Sequence, residues 1–323
     1  MRSFKHISAR TTDEACDLLE KYKGKAVLKA GGTDLLSILK GEILPGYPGA
    51  VIDIKTISGL DYIREEEGTL RIGALTRLSD IAKSPVVMER WGILAEASRA
   101  VATPQIRNAA TLGGNLCQDV RCWYYRYPRS IGGPIICLRK GKGPCLAVKG
   151  DNRYHAILEG KRCFAVCPSD TAVALAALDG ELRIAGSRGE RGIPVSEFFS
   201  SLGKGLGRDE MVTEIRAPRN SGSAKQKFIK FTLRRPIDFA IVSVASVMTI
   251  ENGLCADARI SLGAVAPGPI RARKAEEMLK GKSLSEEGAA EAAGQALSGA
   301  RPLTMNAYKI EIAKTLVKRA ILE

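Results

Sequence analysis

The sequence predicts an α+β fold in which short strands alternate with helices, followed by a C-terminal part where strands precede helices. Two observations lead to this prediction: glycine-rich turns follow short apolar strands, and a β-rich stretch comes before the last helices. The 323 residues are 45% hydrophobic and 26% charged, an ordinary globular composition that is long enough for two or three domains. We therefore expect a packed protein with more than one domain.

The first predicted unit covers residues 1–55. Thr12 begins a helix, residues 25–29 form a strand that runs into a glycine turn, and residues 50–54 form a second strand. The other predicted elements are strands at 70–74, 181–184, 228–231, 240–250 and 257–262, and helices at 78–82, 94–102, 171–178, 272–279, 285–297 and 306–322. Pro104 is expected to end the helix at 94–102.

A polar, turn-rich stretch at 218–224 predicts the domain boundary. The expected domains are residues 1–218, with subdomains 1–55 and 56–218, and residues 222–323. The segment 117–167 shows no regular periodicity and is expected to be an inserted loop.

The net charge of +14 does not by itself indicate a nucleic-acid partner. Basic residues are spread from Lys5 to Arg319, and aromatic residues are only 5% of the chain, so no stacking platform is evident. A solvated basic surface with a few anion contacts explains the charge better. No apolar run approaches the ~18–20 residues of a membrane span, and the N-terminus has no signal-peptide pattern. We expect no membrane contact and a cytoplasmic location.

Two glycine turns are the main candidates for a ligand site. The first is Ala30–Asp34 and the second is Thr111–Asn115, about 80 residues later. Adjacent glycines let the backbone approach a ligand closely, and successive free N–H groups bind anions. Together the turns predict a pyrophosphate held from two sides, and hence a dinucleotide, although either pair alone fits a plain structural turn equally well. No G-x-G-x-x-G follows a strand, which disfavours a Rossmann fold.

Six of the eight cysteines lie between Cys117 and Cys167. Stable disulfides are disfavoured in the cytoplasm, so clustered thiols indicate metal ligands or inert core residues. Because the chain has only two histidines, an all-thiolate site is expected, with either zinc or an iron–sulfur cluster. Two zinc knuckles would leave Cys137 and Cys145 without a role. Four thiolates on a glycine-rich loop favour a cluster, which is expected to be the loop's only source of order.

Several motifs in register resemble one protein family over nearly the whole chain. They are Ala30–Leu36, Ile72–Ala74, Gln105–Asn108, Thr111–Asn115, Pro168–Asp170 and Lys230–Asp238. The chain resembles the FAD-binding medium subunit of molybdenum hydroxylases, the group of xanthine dehydrogenase, CO dehydrogenase and 4-hydroxybenzoyl-CoA reductase. The resemblance implies a two-subdomain FAD-binding fold of the p-cresol methylhydroxylase/vanillyl-alcohol oxidase type, followed by a C-terminal domain of antiparallel sheet and helices.

The resemblance also implies a set of cofactor-binding residues. Asp170 matches an aspartate at the adenosine end, Lys230 a lysine near the flavin ring, and Val212 an apolar lining position. The full set is Lys29, Ala30, Gly31, Gly32, Thr33, Asp34, Leu35, Leu36, Val101, Thr111, Leu112, Gly113, Gly114, Asn115, Asp170, Val212 and Lys230.

The cysteine loop most resembles that of the 4-hydroxybenzoyl-CoA reductase β subunit, which carries an extra [4Fe–4S] cluster. Residues 121–125 match the start of that loop and residues 161–163 its end. This resemblance implies four ligands, Cys122, Cys137, Cys145 and Cys163. Cys167 is the alternative fourth ligand, because the stretch 149–159 is longer than the resemblance leads one to expect.

No catalytic residue is predicted, because neither His6 nor His155 has an evident nucleophile or carboxylate partner. The chain is therefore expected to be an electron-transfer subunit. The resemblance implies a large molybdopterin subunit, a small subunit with two [2Fe–2S] clusters, a dimer of heterotrimers, and an external carrier such as ferredoxin. Two alternatives stay open: a medium subunit of a purine, aldehyde or N-heterocycle dehydrogenase, and a non-enzymatic zinc-loop interaction protein.

Overall fold

The computed structural model describes residues 1–132, 135–220, 224–234 and 237–323, and within them the chain forms three β-sheets. The first sheet is parallel, with strand order β1-β3-β2, and is flanked by two helices. Its elements are β1 (Lys5–Ser8), α1 (Thr12–Tyr22), β2 (Ala26–Lys29), α2 (Leu35–Lys40) and β3 (Ala50–Asp53). Helix α1 begins at Thr12, as the sequence analysis predicts, and the Thr11 hydroxyl caps it by accepting a hydrogen bond from the Glu14 N–H.

The second sheet is antiparallel, with five strands in the order β4-β5-β8-β6-β7. Its strands are β4 (Ile63–Glu66), β5 (Thr69–Gly73), β6 (Glu181–Gly186), β7 (Gly189–Pro194) and β8 (Met211–Pro218). The connecting helices are α3 (Leu78–Ile81), α4 (Pro85–Arg90), α5 (Gly92–Arg99), α6 (Pro104–Arg107), α7 (Leu112–Cys117), α8 (Arg129–Gly132), α9 (Asp170–Ala177) and α10 (Val195–Phe198). Every residue of α9 is buried, which makes it the central helix of the largest core.

The C-terminal part is an antiparallel sheet of order β12-β11-β10-β9 with three helices. Its elements are β9 (Ala224–Phe231), β10 (Val242–Glu251), β11 (Leu254–Gly263), β12 (Ile270–Arg271), α11 (Arg273–Leu279), α12 (Glu286–Ala296) and α13 (Tyr308–Leu322). Helices α9 and α13 both pack against β10. Because β10 is covered on both faces, its residues 242–249 are all buried, and they are either apolar or small hydroxyl-bearing residues.

The segment 117–167 is irregular, as predicted: within its described residues it has only α8 and two short 3₁₀ helices, Leu138–Lys140 and Leu146–Val148. The expectation that a cluster is its only source of order is wrong. Asn306 Nδ2 donates to the main-chain oxygens of His155 and Ala156, at 3.1 and 3.3 Å, and Arg121 pairs with Val166 through the backbone. Hydrogen bonds to the C-terminal part and within the segment are therefore a further source of order for it.

Two local predictions differ from the structure in an instructive way. Helix α5 ends at Arg99, before Pro104, and Pro104 instead begins α6, where the Thr103 hydroxyl accepts from the Ile106 N–H at 3.4 Å. The sequence analysis also missed β8, because two charged residues, Glu214 and Arg216, interrupt its apolar pattern. Glu214 is buried and accepts from Arg71 Nε at 2.8 Å.

The domain boundary between residues 218 and 222 stays a prediction, since residue 222 lies outside the described residues. None of the helices in the described ranges is long and apolar enough to cross a membrane.

Candidate functional site

The two glycine turns line one cavity of about 700 Å³. The first turn follows β2 and leads into α2, and the second forms the N-terminus of α7. Residues 27–35 line the cavity from one side, and Thr111, Gly114 and Asn115 line it from the other. The fold therefore brings together two turns that lie about 80 residues apart in the chain.

The first turn requires glycine at two positions for different reasons. A Cβ atom on Gly31 would lie 2.0 Å from the Ala109 main-chain oxygen, so only glycine allows the two turns to approach this closely. Gly32 has φ +73°, a left-handed conformation that strains other residues. Both glycines thus shape the wall of the cavity through the backbone.

The second turn presents one free amide to the cavity. Thr111 Oγ1 accepts from the Gly114 N–H at 3.1 Å and caps α7. Asn115 Oδ1 accepts from Ser169 Oγ at 2.6 Å and from Thr171 Oγ1 at 2.7 Å. Its amide nitrogen has no hydrogen-bond partner among the residues that the structure describes, so it remains available to donate to a ligand in the cavity.

Asp34 links the first turn to the cysteine segment. Its carboxylate accepts from the Asp119 N–H, from Arg121 Nη1 and from Arg126 Nη2, each at 2.9 Å. Burial by itself raises the pKa of this carboxyl, but the two guanidinium groups outweigh burial and hold the pKa below its ordinary value of 3.8. Asp34 therefore lines the cavity as an ionised carboxylate whose negative charge is balanced by Arg121 and Arg126.

Cations give the cavity a positive character. Arg121, Arg139 and Lys204 line it, and Lys204 forms no ion pair with any described residue. Phe239 adds an aromatic wall whose ring lies 4.3 Å from the Arg121 guanidinium carbon. The sequence analysis missed all four as site residues. Phe239 directly follows the Lys230–Asp238 motif, but Lys204 and Arg139 carry no local pattern.

Several predicted cofactor-binding residues do not line this cavity. Asp170 and Lys230 form a buried ion pair with 2.7 Å between Nζ and Oδ2, and Lys230 Nζ also donates to the Ala100 oxygen at 2.9 Å. The pKa of Asp170 is raised above its ordinary value, because burial raises it by more than the Lys230 ammonium lowers it. Val212 lies in the core, as does Leu112, while Leu36 is exposed and Gly113 packs against Ala74. The cavity does include Lys29, Leu35 and Val101.

A second, smaller pocket is lined by four cysteines together with Tyr124, Leu138, Arg139, Leu146, Ala147 and Ala165. These cysteines are Cys122, Cys137, Cys145 and Cys163. Cys167 and Cys117 are not among its lining residues, and Cys117 lines the large cavity instead. We call this the four-cysteine pocket. Its thiols are not in disulfides, and His155 Nε2 lies 3.2 Å from Cys122 Sγ.

No metal-binding group is found among the described residues: nowhere in these ranges are three or more His, Cys, Asp or Glu side chains arranged to hold a metal ion.

Comparisons with known proteins identify the family. Residues 2–220 match the model of the FAD binding domain in molybdopterin dehydrogenase, and residues 227–323 match the CO dehydrogenase flavoprotein C-terminal domain. The chain is 32% identical to the FAD-binding subunit of an aldehyde oxidoreductase from Escherichia coli, covering 100% of this chain and 98% of that protein. It is 30% identical to the carbon monoxide dehydrogenase medium chain of Hydrogenophaga pseudoflava, and the match covers 98% of this chain and 96% of that protein.

The fold is similar to that of a solved structure of carbon monoxide dehydrogenase from Hydrogenophaga pseudoflava, with a TM-score of 0.80 and 28% sequence identity. The match covers 99% of this chain and 96% of that chain. This match confirms the mixed helix and sheet fold with a C-terminal antiparallel sheet domain. The large cavity also suits a dinucleotide, because main-chain turns, a free amide and cations line a space of about 700 Å³. The chain belongs to the FAD-binding medium subunits of the molybdenum hydroxylase family, and is thus a flavoprotein component of a molybdenum-dependent oxidoreductase.

Proposed function

We propose that this chain is the electron-transfer subunit of its enzyme, with FAD in the large cavity and a [4Fe–4S] cluster in the four-cysteine pocket. The cluster part of this proposal rests on one observation. Four cysteines line the same pocket: Cys122, Cys137, Cys145 and Cys163. FAD, when bound, exchanges electrons in pairs or singly, which links two-electron chemistry to one-electron carriers.

Main-chain groups hold the flavin cofactor in this proposal. The turn at 30–34 and the second turn at 111–115 supply N–H groups to the pyrophosphate, with Lys204 and the Asn115 amide as side-chain donors. Val101 and Phe239 supply apolar surface. The ion pair of Asp170 and Lys230 would act from behind the cavity wall, by keeping α9 and β9 in place.

We favour a cluster over zinc because the cysteine segment resembles the cluster-binding loop of the 4-hydroxybenzoyl-CoA reductase β subunit. One zinc ion holds four sulfur atoms at ~2.3 Å each, in a compact tetrahedron. In a cubane cluster each thiolate binds a different iron, so the four sulfur atoms lie farther apart. The four thiols that line one pocket could supply the four ligands of such a cluster. The lining also supports Cys163 over Cys167 as the fourth ligand.

Iron analysis of cysteine variants tests this assignment. Cys145→Ser and Cys163→Ser should lose iron and acid-labile sulfide after anaerobic reconstitution, while FAD is retained because other elements hold it. Cys167→Ser, Cys16→Ser and Cys255→Ser are matched controls, since their buried thiols lie outside the pocket. Stoichiometric zinc, or iron loss in Cys167→Ser but not in Cys163→Ser, would refute the ligand set.

The partners of this chain follow from the family. We propose a large molybdopterin subunit and a small subunit with two [2Fe–2S] clusters, joined as a dimer of heterotrimers, with an external carrier such as ferredoxin. The cytoplasm is the proposed compartment, which agrees with eight free cysteines. Membership of an oxidoreductase family excludes the non-enzymatic zinc protein as an alternative.

Two substrate classes are supported by different observations. The cysteine segment supports reductive dehydroxylation of an aromatic acyl-CoA, as in 4-hydroxybenzoyl-CoA reductase. The 32% identity with an aldehyde oxidoreductase subunit supports aldehyde oxidation instead. The purified complex should be assayed with 4-hydroxybenzoyl-CoA plus a reduced donor, and with an aromatic aldehyde plus an acceptor. If the complex turns over only one of these substrates, that result selects the corresponding substrate class.

A further inference from the structure

Arg139 belongs to the walls of both pockets. It lines the large cavity and the four-cysteine pocket, and among the described residues it is the only one that lines both. The side chain comes from the short 3₁₀ helix Leu138–Lys140, which begins directly after Cys137. The two spaces that the proposed function assigns to two redox groups therefore share one cationic side chain.

The charge of Arg139 is not balanced by a carboxylate. Its Nη2 donates to the main-chain oxygen of Ser201 at 2.8 Å, and its guanidinium carbon lies 5.8 Å from the centroid of the Tyr125 ring. It forms no ion pair with a residue that the structure describes, whereas Arg121, which also lines the large cavity, pairs with Asp34. A partly buried cation without a partner is costly, so this side chain is suited to negative charge that the protein itself does not supply.

One nitrogen of this guanidinium group has no acceptor. Arg139 Nε is inaccessible to solvent and has no hydrogen-bond partner among the described residues. Because it is inaccessible, it does not face the open cavity, and the four-cysteine pocket, of about 20 Å³, is the other space beside the same side chain. Buried polar groups are nearly always hydrogen-bonded, so this nitrogen indicates an acceptor that arrives with a ligand. A sulfur atom held in the four-cysteine pocket is such an acceptor.

The end of the Arg139 side chain lies against the wall of the large cavity. Ser201, which accepts from Nη2, directly precedes the stretch 202–204 that lines this cavity. Tyr125 also lines it, and its hydroxyl donates to Asp119 Oδ2 at 2.6 Å, which fixes the ring beside the guanidinium group. A positive charge held in this wall acts on negative charge in the cavity over several ångströms, because a partly buried site screens charge less than water does.

We propose that Arg139 is the shared electrostatic residue of the two redox sites, and that its charge favours the reduced form in both. This inference rests on the proposed function, which places FAD in one space and an iron–sulfur cluster in the other. Net charge and hydrogen bonds to sulfur set the reduction potential of such clusters, and nearby charge tunes a flavin. The electrons are those of the enzyme's own turnover, and the guanidinium group neither gains nor loses a proton.

Reduction potentials of Arg139 variants in the purified complex test this role. Arg139→Met removes the charge and the donor but keeps a long apolar side chain, and Arg139→Lys restores only the charge. Lys142→Met is the control, because it removes one positive charge from an exposed position of the same segment that lines neither space. Redox titration followed by electron paramagnetic resonance and visible absorbance measures both sites. We expect lower potentials at both sites in Arg139→Met, at the cluster alone in Arg139→Lys, and at neither site in Lys142→Met.

The possible results separate a shared role from a local one. FAD and iron contents are measured first and should match the wild type in every variant. An unchanged potential at either site in Arg139→Met overturns the inference, as does an equal shift in Lys142→Met, which would mean a general effect of net charge. Loss of FAD or iron from Arg139→Met also overturns it, because the side chain would then hold the segment in place rather than act through its charge.

Iron analysis of the wild type keeps the two proposals apart. If the wild type holds no iron, the proposed cluster fails, and the claim for the four-cysteine pocket fails with it. The flavin potential of Arg139→Met then decides the claim for the large cavity alone.

Discussion

Single atoms decide how closely the two glycine turns approach. The space beside Gly31 is filled by the Ala109 oxygen, so a methyl group there cannot be accommodated without moving backbone. Gly113, by contrast, meets Ala74 on the side away from the cavity. Gly31 is therefore a residue at which one added methyl group must displace the backbone that faces it.

Gly31→Ala should lower FAD occupancy several-fold while the protein stays folded. The added Cβ pushes the second turn away and misaligns its N–H groups. The measurement is the flavin-to-protein ratio after purification, with circular dichroism for the fold. Gly46→Ala is the control, because no atom lies within 4 Å of its added Cβ. Full flavin occupancy in Gly31→Ala would show that the turns do not hold the cofactor.

Lys230→Met should destabilise the protein by about 3–5 kcal/mol, the usual cost of leaving a buried carboxylate without its partner. The 2.7 Å pair with Asp170 is buried on both sides. Urea unfolding measures the loss, and the double variant with Asp170→Asn should recover part of it. A small loss of stability combined with loss of flavin would instead support the role near the flavin that the family resemblance implies for Lys230.

At the level of elements, Asp34 connects the start of α2 to the cysteine segment. Its lowered pKa makes this connection dependent on pH. Since the folded pKa lies below the unfolded value near 3.8, the carboxylate stabilises the fold above that value and loses this contribution as the pH falls through the folded pKa.

Asp34→Asn should lower the melting temperature at pH 6, and the difference from the wild type should shrink below pH 4. The reason is that the wild-type carboxylate takes up a proton there and becomes as weak an acceptor for Arg121 and Arg126 as the amide. Thermal unfolding between pH 3 and pH 7 measures this. A constant difference over that range would mean that the ion pairs do not contribute. Asp61→Asn serves as a surface control.

For the molecule as a whole, the described residues hold cofactor sites without a substrate-transforming site. His155 is buried against Cys122, and His6 lies 3.7 Å from Asp53 with no nucleophile in its recorded contacts. This arrangement agrees with the proposal that the organic substrate reacts on another subunit.

The isolated chain should reduce an artificial dye weakly at best and should not transform substrate, because it lacks the molybdenum site. Adding the large and small subunits should restore turnover. Steady-state assays with the chain alone and with the reconstituted complex measure this difference. Substrate turnover by the purified single chain would contradict the electron-transfer assignment.

Much of the fold and part of the site could be predicted from the sequence because the signals are local. Thr11 and Thr111 cap helices that follow them directly, and Gly32 takes a backbone conformation set by its own turn. The four cysteines of the loop follow a spacing that resembles one family, and they do line one pocket. Such features depend on neighbours within a few residues or on a motif preserved in order along the chain.

The sequence by itself determined the family, the two glycine turns and the set of cysteines. Tertiary structure alone decided that Lys230 pairs with Asp170 and that Lys204 faces the cavity. It also brought the Met305 N–H onto the Asn152 side chain and the Tyr308 hydroxyl onto the Arg153 main-chain oxygen. The physical reason is sequence separation: Lys230 and Asp170 are 60 residues apart, and Asn152 and Met305 are 153 apart. Contacts between residues so far apart in the sequence depend on how sheets and helices pack, so they cannot be predicted from a local sequence pattern.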